Sequence, residues 1–139
     1  MILLLQYTLI FASVLILVAL GGCFSEHSGV VNIGLEGIMV MGALGGALMM
    51  KYLPATMPIP LVILLVILGS VIIGMIFSLF LGVAAIHFNA DQTLVGTALN
   101  LLGPAAAVVI VRAINMSESI DNVSSTVAYK EAKRAFLVN

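Results

Sequence analysis

The sequence predicts an all-α, polytopic membrane protein with about four spans, the second of them discontinuous near its start. Three observations predict it. The chain of 139 residues is 63% hydrophobic and 8% charged, against roughly 25% charged residues in an ordinary soluble domain. Its mean hydropathy is +1.29, so lipid rather than water must be its main solvent. Four apolar stretches reach the ~20 residues that a spanning helix needs, and short polar turns separate them.

The first stretch, Ile2 to Phe24, carries no charge. The second runs from Ile33 to Leu53. The third, Ile59 to Phe88, is longer than a bilayer core of about 30 Å requires, so it must tilt or protrude. The fourth, Thr93 to Ala113, contains Gly103-Pro104, and a proline ring without an N–H kinks or breaks a helix. Pro54, Pro58 and Pro60 mark a turn after Lys51, and Asn89, Ala90 and Asp91 mark another. Residues 1–113 therefore read as a transmembrane bundle and residues 114–139 as a polar tail, rich in Ser, Glu, Asp and Asn from Asn115 onward. Within the tail, Tyr129 to Phe136 fits a short amphipathic helix with Tyr129, Ala132 and Phe136 on one side.

Orientation follows from the basic residues. If all four segments cross, the N-terminus, the Lys51 turn and the tail share a side, and Lys51, Arg112, Lys130, Lys133 and Arg134 all fall there. The positive-inside bias makes that side cytoplasmic. A re-entrant second segment breaks this parity.

Several functions are excluded. Net charge is −1 with no basic patch, which argues against nucleic acid. A single cysteine, Cys23, permits neither an internal disulfide nor a cysteine-based zinc cluster, and no metal site is expected. There is no Gly-rich Lys-Ser/Thr loop for a nucleotide and no His-Glu-x-x-His. The chain is not expected to be an enzyme.

The informative stretch is His27 to Gly46, HSGVVNIGLEGIMVMGALGG, which places Asn32, Glu36 and six glycines in an apolar segment. Membrane helices associate through small residues that let backbones approach. Gly42 and Gly46 form a G-x-x-x-G pair, and Ser70 and Gly74 repeat the spacing in the third span, so these read as packing seams. Gly29, Gly34 and Gly37 cluster instead around Asn32 and Glu36, where they permit unwound or bent backbone. Such backbone survives at membrane depth only when it is buried in protein or lines a wet cavity, and transporters use broken helices of this kind at their binding sites. An acidic group at mid-helix costs about 2.5–3.5 kcal/mol on insertion scales. Glu36 therefore either faces a cavity or serves as a helix-start carboxylate near the interface. In the fourth span Thr93, Thr97 and Asn100 share a helical face bordered by Gln92. Asn100 reads as an interhelical hydrogen bond or as part of a path. The path candidates are Asn32, Glu36, Gln92 and Asn100.

These residues resemble a family. SGVVNIGLEG, from Ser28, and ADQTLVGTALNLLG, from Ala90, are similar to landmarks of ABC importer permeases of the nucleoside and simple-sugar branch, within the ribose and branched-chain amino acid permease superfamily. The resemblance implies a permease subunit of the bacterial inner membrane. It would work in an ATP-driven importer with a second permease subunit, ABC ATPase subunits that bind the ATP, and an extracytoplasmic substrate-binding protein. No cofactor is implied on this chain. The chain departs from the pattern at His27, where the family usually has Arg, and at Asp91, where it commonly has Asn. The segment that docks on the ATPase is absent, so the chain looks like the N-terminal half of a permease. The alternatives are a non-transporting membrane scaffold or assembly subunit, and a small autonomous oligomeric carrier.

Overall fold

The computed structural model describes residues 1–54 and 56–127, and the Tyr129–Phe136 segment lies outside them. Four helices follow in order: α1 (Ile2–His27), α2 (Leu35–Tyr52), α3 (Ile59–Ile86) and α4 (Gln92–Glu118). No strand occurs among the described residues.

Local chemistry sets the helix limits. Gly29 has φ +86°, the left-handed conformation that ends a helix cheaply, and its N–H returns to the Glu26 carbonyl at 3.0 Å. Pro58 precedes α3 and Pro60 sits in its first turn, where a missing N–H costs nothing. Asp91 caps α4, its Oδ1 accepting from the Thr93 amide at 2.8 Å and the Leu94 amide at 3.4 Å. Asp and Asn cap helices about equally well, so the departure from Asn at this position preserves the cap. His27 is the last residue of α1, and its Nδ1–H donates to the Cys23 carbonyl at 2.9 Å.

α1, α3 and α4 are each long and apolar enough to cross a membrane. α2 is the exception among the four expected spans. Its 18 residues rise about 27 Å, just short of a ~30 Å hydrocarbon core, and it contains Glu36 and Lys51. The residues that would lengthen it, 28–34, are not helical. α4 continues through Pro104 without ending and runs past Ala113 to Glu118.

α2, α3 and α4 pack together and α1 stands apart, burying no residue. α2 and α3 are antiparallel: Gly42 lies against Ser70 and Gly74, and Gly45 and Met49 lie against Gly69. α2 and α4 run parallel, with Gly37 against Leu99, Asn100 and Gly103 near one end and Lys51 paired with Glu118 at the other. Met41, Leu44, Phe77, Leu81, Leu99 and Val111 form the shared core. The outer faces of α1 and α3 are covered by exposed leucine, isoleucine, valine and phenylalanine, as expected of surfaces solvated by lipid.

Candidate functional site

The non-helical segment 28–34 is the site's foundation. It connects α1 to α2 and does not stay at the end of the bundle. The Val31 amide donates to Gln92 Oε1 at 2.7 Å, level with the first residue of α4. Gly34 lies against Gly96 and Leu99. Asn100 Nδ2 donates to the Ile33 carbonyl at 2.8 Å, and the Gly37 amide donates to Asn100 Oδ1 at 2.9 Å. The chain thus descends along α4 before α2 begins. Asn100 is eight residues beyond Gln92, a rise of about 12 Å in a helix about 40 Å long. If α4 is centred on a ~30 Å core, the start of α2 lies about 7 Å inside the hydrocarbon layer.

The start of α2 has no side-chain cap of its own, because its N-cap is Gly34. Asn100 supplies one from the neighbouring helix. Its oxygen takes one of the amides that a helix start leaves unpaired, and its nitrogen takes the Ile33 carbonyl just outside the helix. An unsatisfied backbone group in lipid costs several kcal/mol, whereas an interhelical hydrogen bond in membranes contributes about 0.6 kcal/mol on average. The amide's main effect is therefore to prevent two orphaned groups.

This geometry requires bare backbone on both helices. A Cβ on Gly103 would stand 2.7 Å from Gly37 Cα, and one on Gly37 would collide with the Leu99 carbonyl. Backbone meets backbone here, which is what brings Asn100 within reach of Ile33 and Gly37.

All four polar candidates gather on this segment. Gln92 and Asn100 hold it from α4, and both use their side-chain oxygens on its backbone amides. Asn32 and Glu36 belong to the stretch being held. Asn32 Oδ1 is buried without a hydrogen-bond partner. Glu36 occupies the first turn of α2 and is exposed. Among the glycines, Gly29 ends α1, Gly34 caps α2, Gly37 makes the α4 contact, and Gly42 and Gly46 face Ser70 on α3.

A second polar group, absent from the sequence expectations, lies at the far end of the α2–α4 pair. Lys51 Nζ is 3.0 Å from Glu118 Oε1, and the Lys51 side chain is 4% exposed against 32% for Glu118. The ion pair is close, but the ammonium lacks hydrogen-bond alignment. Asn115, one turn before Glu118, is 1% exposed and donates through Nδ2 to the carbonyls of Ser124 and Thr126, both at 2.9 Å. Residues 119–127 accordingly turn back under the bundle, and Val127 packs on the core. The signal for this was the parity argument itself: it places Lys51 and Glu118 at one end with opposite charges.

Comparison with known proteins fixes the family. A family model described as branched-chain amino acid transport system / permease component matches residues 4–138. The chain belongs to this permease family. It is 44% identical over 120 residues to the guanosine ABC transporter permease protein NupQ of Bacillus subtilis, covering 84% of this chain and 36% of that protein. It is 36% identical over 121 residues to the nucleoside ABC transporter permease protein NupC of Lactococcus lactis, covering 87% and 38%. A shorter match, 54% over 43 residues, is to the putative glucose ABC transporter permease protein TsgC13 of Haloferax volcanii, covering 31% and 13%. No solved structure matches. The chain spans somewhat over a third of the length of the two nucleoside relatives, less than the half suggested by the resemblance. Family membership and the apolar helices make it a multi-pass membrane protein.

Proposed function

We propose that this chain is a membrane-spanning portion of a permease in an ATP-driven importer for nucleosides or related small solutes such as simple sugars. The observation that carries the reading is the likeness to two nucleoside permeases over more than four-fifths of the chain. The descending segment 28–34 supports it physically. Irregular backbone at membrane depth requires protein or water beside it, and Glu36, in the first turn of α2, is exposed with no ion-pair partner among the described residues. A carboxylate so placed belongs in a wet path or against a further protein chain, not in lipid.

Within this reading Glu36 faces the path with the half-buried Asn32 beside it, and Gln92 and Asn100 position the backbone that carries them. The chain itself performs no catalysis and carries no cofactor; ATP is bound by partner ABC ATPase subunits. A second permease subunit and an extracytoplasmic substrate-binding protein complete the importer. The protein sits in the bacterial inner membrane, with its N-terminus, the Lys51 turn and the C-terminal tail in the cytoplasm.

The test is co-purification in mild detergent, followed by uptake of a labelled nucleoside in the reconstituted complex. An ATPase subunit and a second permease should accompany the chain. Glu36→Gln should reduce uptake without lowering expression. Purification of the chain alone, with no ATP-dependent uptake, favours the scaffold reading. Unaltered uptake by Glu36→Gln would remove that carboxylate from the path.

A further inference from the structure

The parallel pair α2–α4 is joined in two unlike ways. Near its start the contact is backbone on backbone, through Gly37, Leu99 and Gly103, and is fastened by both polar atoms of Asn100. At its finish the helices reach each other through the long side chains of Lys51 and Glu118. The two junctions are separated by 14 residues on α2 (Gly37 to Lys51) and 15 on α4 (Gly103 to Glu118), a matching rise of about 21–23 Å. The near junction cannot open without exposing backbone polar groups to lipid. Opening the far junction parts one ion pair and the side-chain packing around Val111, with no incomplete helix start left behind.

We propose that α2 and α4 form a hinge and latch: Gly37, Asn100 and Gly103 are the fixed hinge, and Lys51–Glu118 is the latch that keeps the opposite end closed. The strap 119–127 is the latch's cover. Glu118 is the last residue of α4 and Ser119 already has extended backbone, so the strap departs directly from the latch. Asn115 ties the strap back from the same helical face, one turn earlier. Two buried polar atoms at this end, Lys51 Nζ and Asn115 Oδ1, lack hydrogen-bond partners. One such atom, Asn32 Oδ1, also lies beside the hinge, but there Asn100 satisfies both of its backbone partners, whereas at the latch the ion-paired ammonium itself is left without an aligned hydrogen bond, so the latch is held less securely than the hinge. Parting Lys51 from Glu118 swings the end of α2 away from α4 and releases the strap. This inference concerns packing and does not depend on the transport reading.

The experiment uses the full chain in lipid nanodiscs, with Cys23→Ser as background and spin labels read by double electron–electron resonance. One label pair, Leu53→Cys with Ser117→Cys, reports the latch end. A second, Val31→Cys with Thr93→Cys, reports the hinge end. Lys51→Met and Glu118→Gln should each shift the latch-end distribution to longer distance and broaden it, leaving the hinge-end distribution in place. The exchanged pair, Lys51→Glu with Glu118→Lys, should bring the latch-end distribution back. Hydrogen exchange in 119–127 should rise in the single variants and fall again in the exchanged pair. A latch-end distribution unmoved by either single variant, an equal change at both ends, or no recovery in the exchanged pair overturns the proposal.

Discussion

α2 uses glycine against both of its neighbours, yet the two seams differ. Against α3 it presents Gly42, Gly45 and Gly46 to Gly69, Ser70 and Gly74. Both helices are regular there, their backbone groups are already paired, and shape alone holds the contact. Against α4 it presents Gly34 and Gly37 at the point where the helix is only beginning. Backbone groups are unpaired at that point, so close approach is insufficient and amide side chains are recruited from α4. Small residues let membrane helices approach; polar residues are needed only where the approaching backbone is incomplete.

The sharpest way to break this contrast is Gly37→Ala. The added Cβ meets the Leu99 carbonyl and the backbone of Asn100, neither of which can rotate away. We expect a loss of about 3 kcal/mol, the upper end of the usual overpacking range, measured by detergent titration of helicity. Gly46→Ala, which meets the rotatable Ser70 hydroxyl and the Val66 side chain, should cost clearly less. Equal losses would mean that the two seams are the same kind of contact.

Asn100→Leu comes next, at about 2 kcal/mol. It leaves the Gly37 N–H and the Ile33 carbonyl without partners, and the desolvation of orphaned groups outweighs the bonds themselves. Amide exchange at Gly37 should accelerate while exchange in the middle of α3 does not. Slow exchange at Gly37 in this variant would show that another group can cap α2.

Gln92→Leu should have a smaller effect, about 0.5–1.5 kcal/mol, because it removes one hydrogen bond, to the Val31 amide at the exposed end of the segment. Local exchange at Val31 should rise with little change at Gly37. Coupled loss at both amides would make 31–37 one cooperative unit instead of a segment held at two separate points.

Much of this was legible in the sequence because it rests on single-residue chemistry. Prolines mark the turn before α3, Asn89 to Asp91 mark the turn before α4, and the glycine cluster of Gly29, Gly34 and Gly37 around Asn32 falls at the irregular backbone of 28–34. What could not be read was the register between helices. Nothing in the spacing of Asn100 says that it lies beside Ile33 and Gly37, or that α2 begins about two turns along α4 from Gln92. The end of α4 was hidden for a related reason. Asn115, Ser117 and Glu118 have the composition of an aqueous tail, yet Asn115 is buried by the returning strap and Glu118 is engaged by Lys51. Composition reports what a residue would prefer in isolation, and here the partners came from 67 and 9 positions away (Lys51 to Glu118, and Asn115 to Ser124).

The smallest expected effect is the control for the whole contrast. Gly74→Ala adds a Cβ whose nearest neighbour, Gly42 Cα, is 3.8 Å away, an ordinary contact. No backbone must shift, and alanine is favoured over glycine inside a helix by up to about 1 kcal/mol. The variant should be neutral or slightly more stable in the same detergent titration. A marked loss there would mean that the α2–α3 seam is tighter than shape alone requires, and the distinction between a seam that only needs room and one that also needs hydrogen bonds would fail at its simpler member.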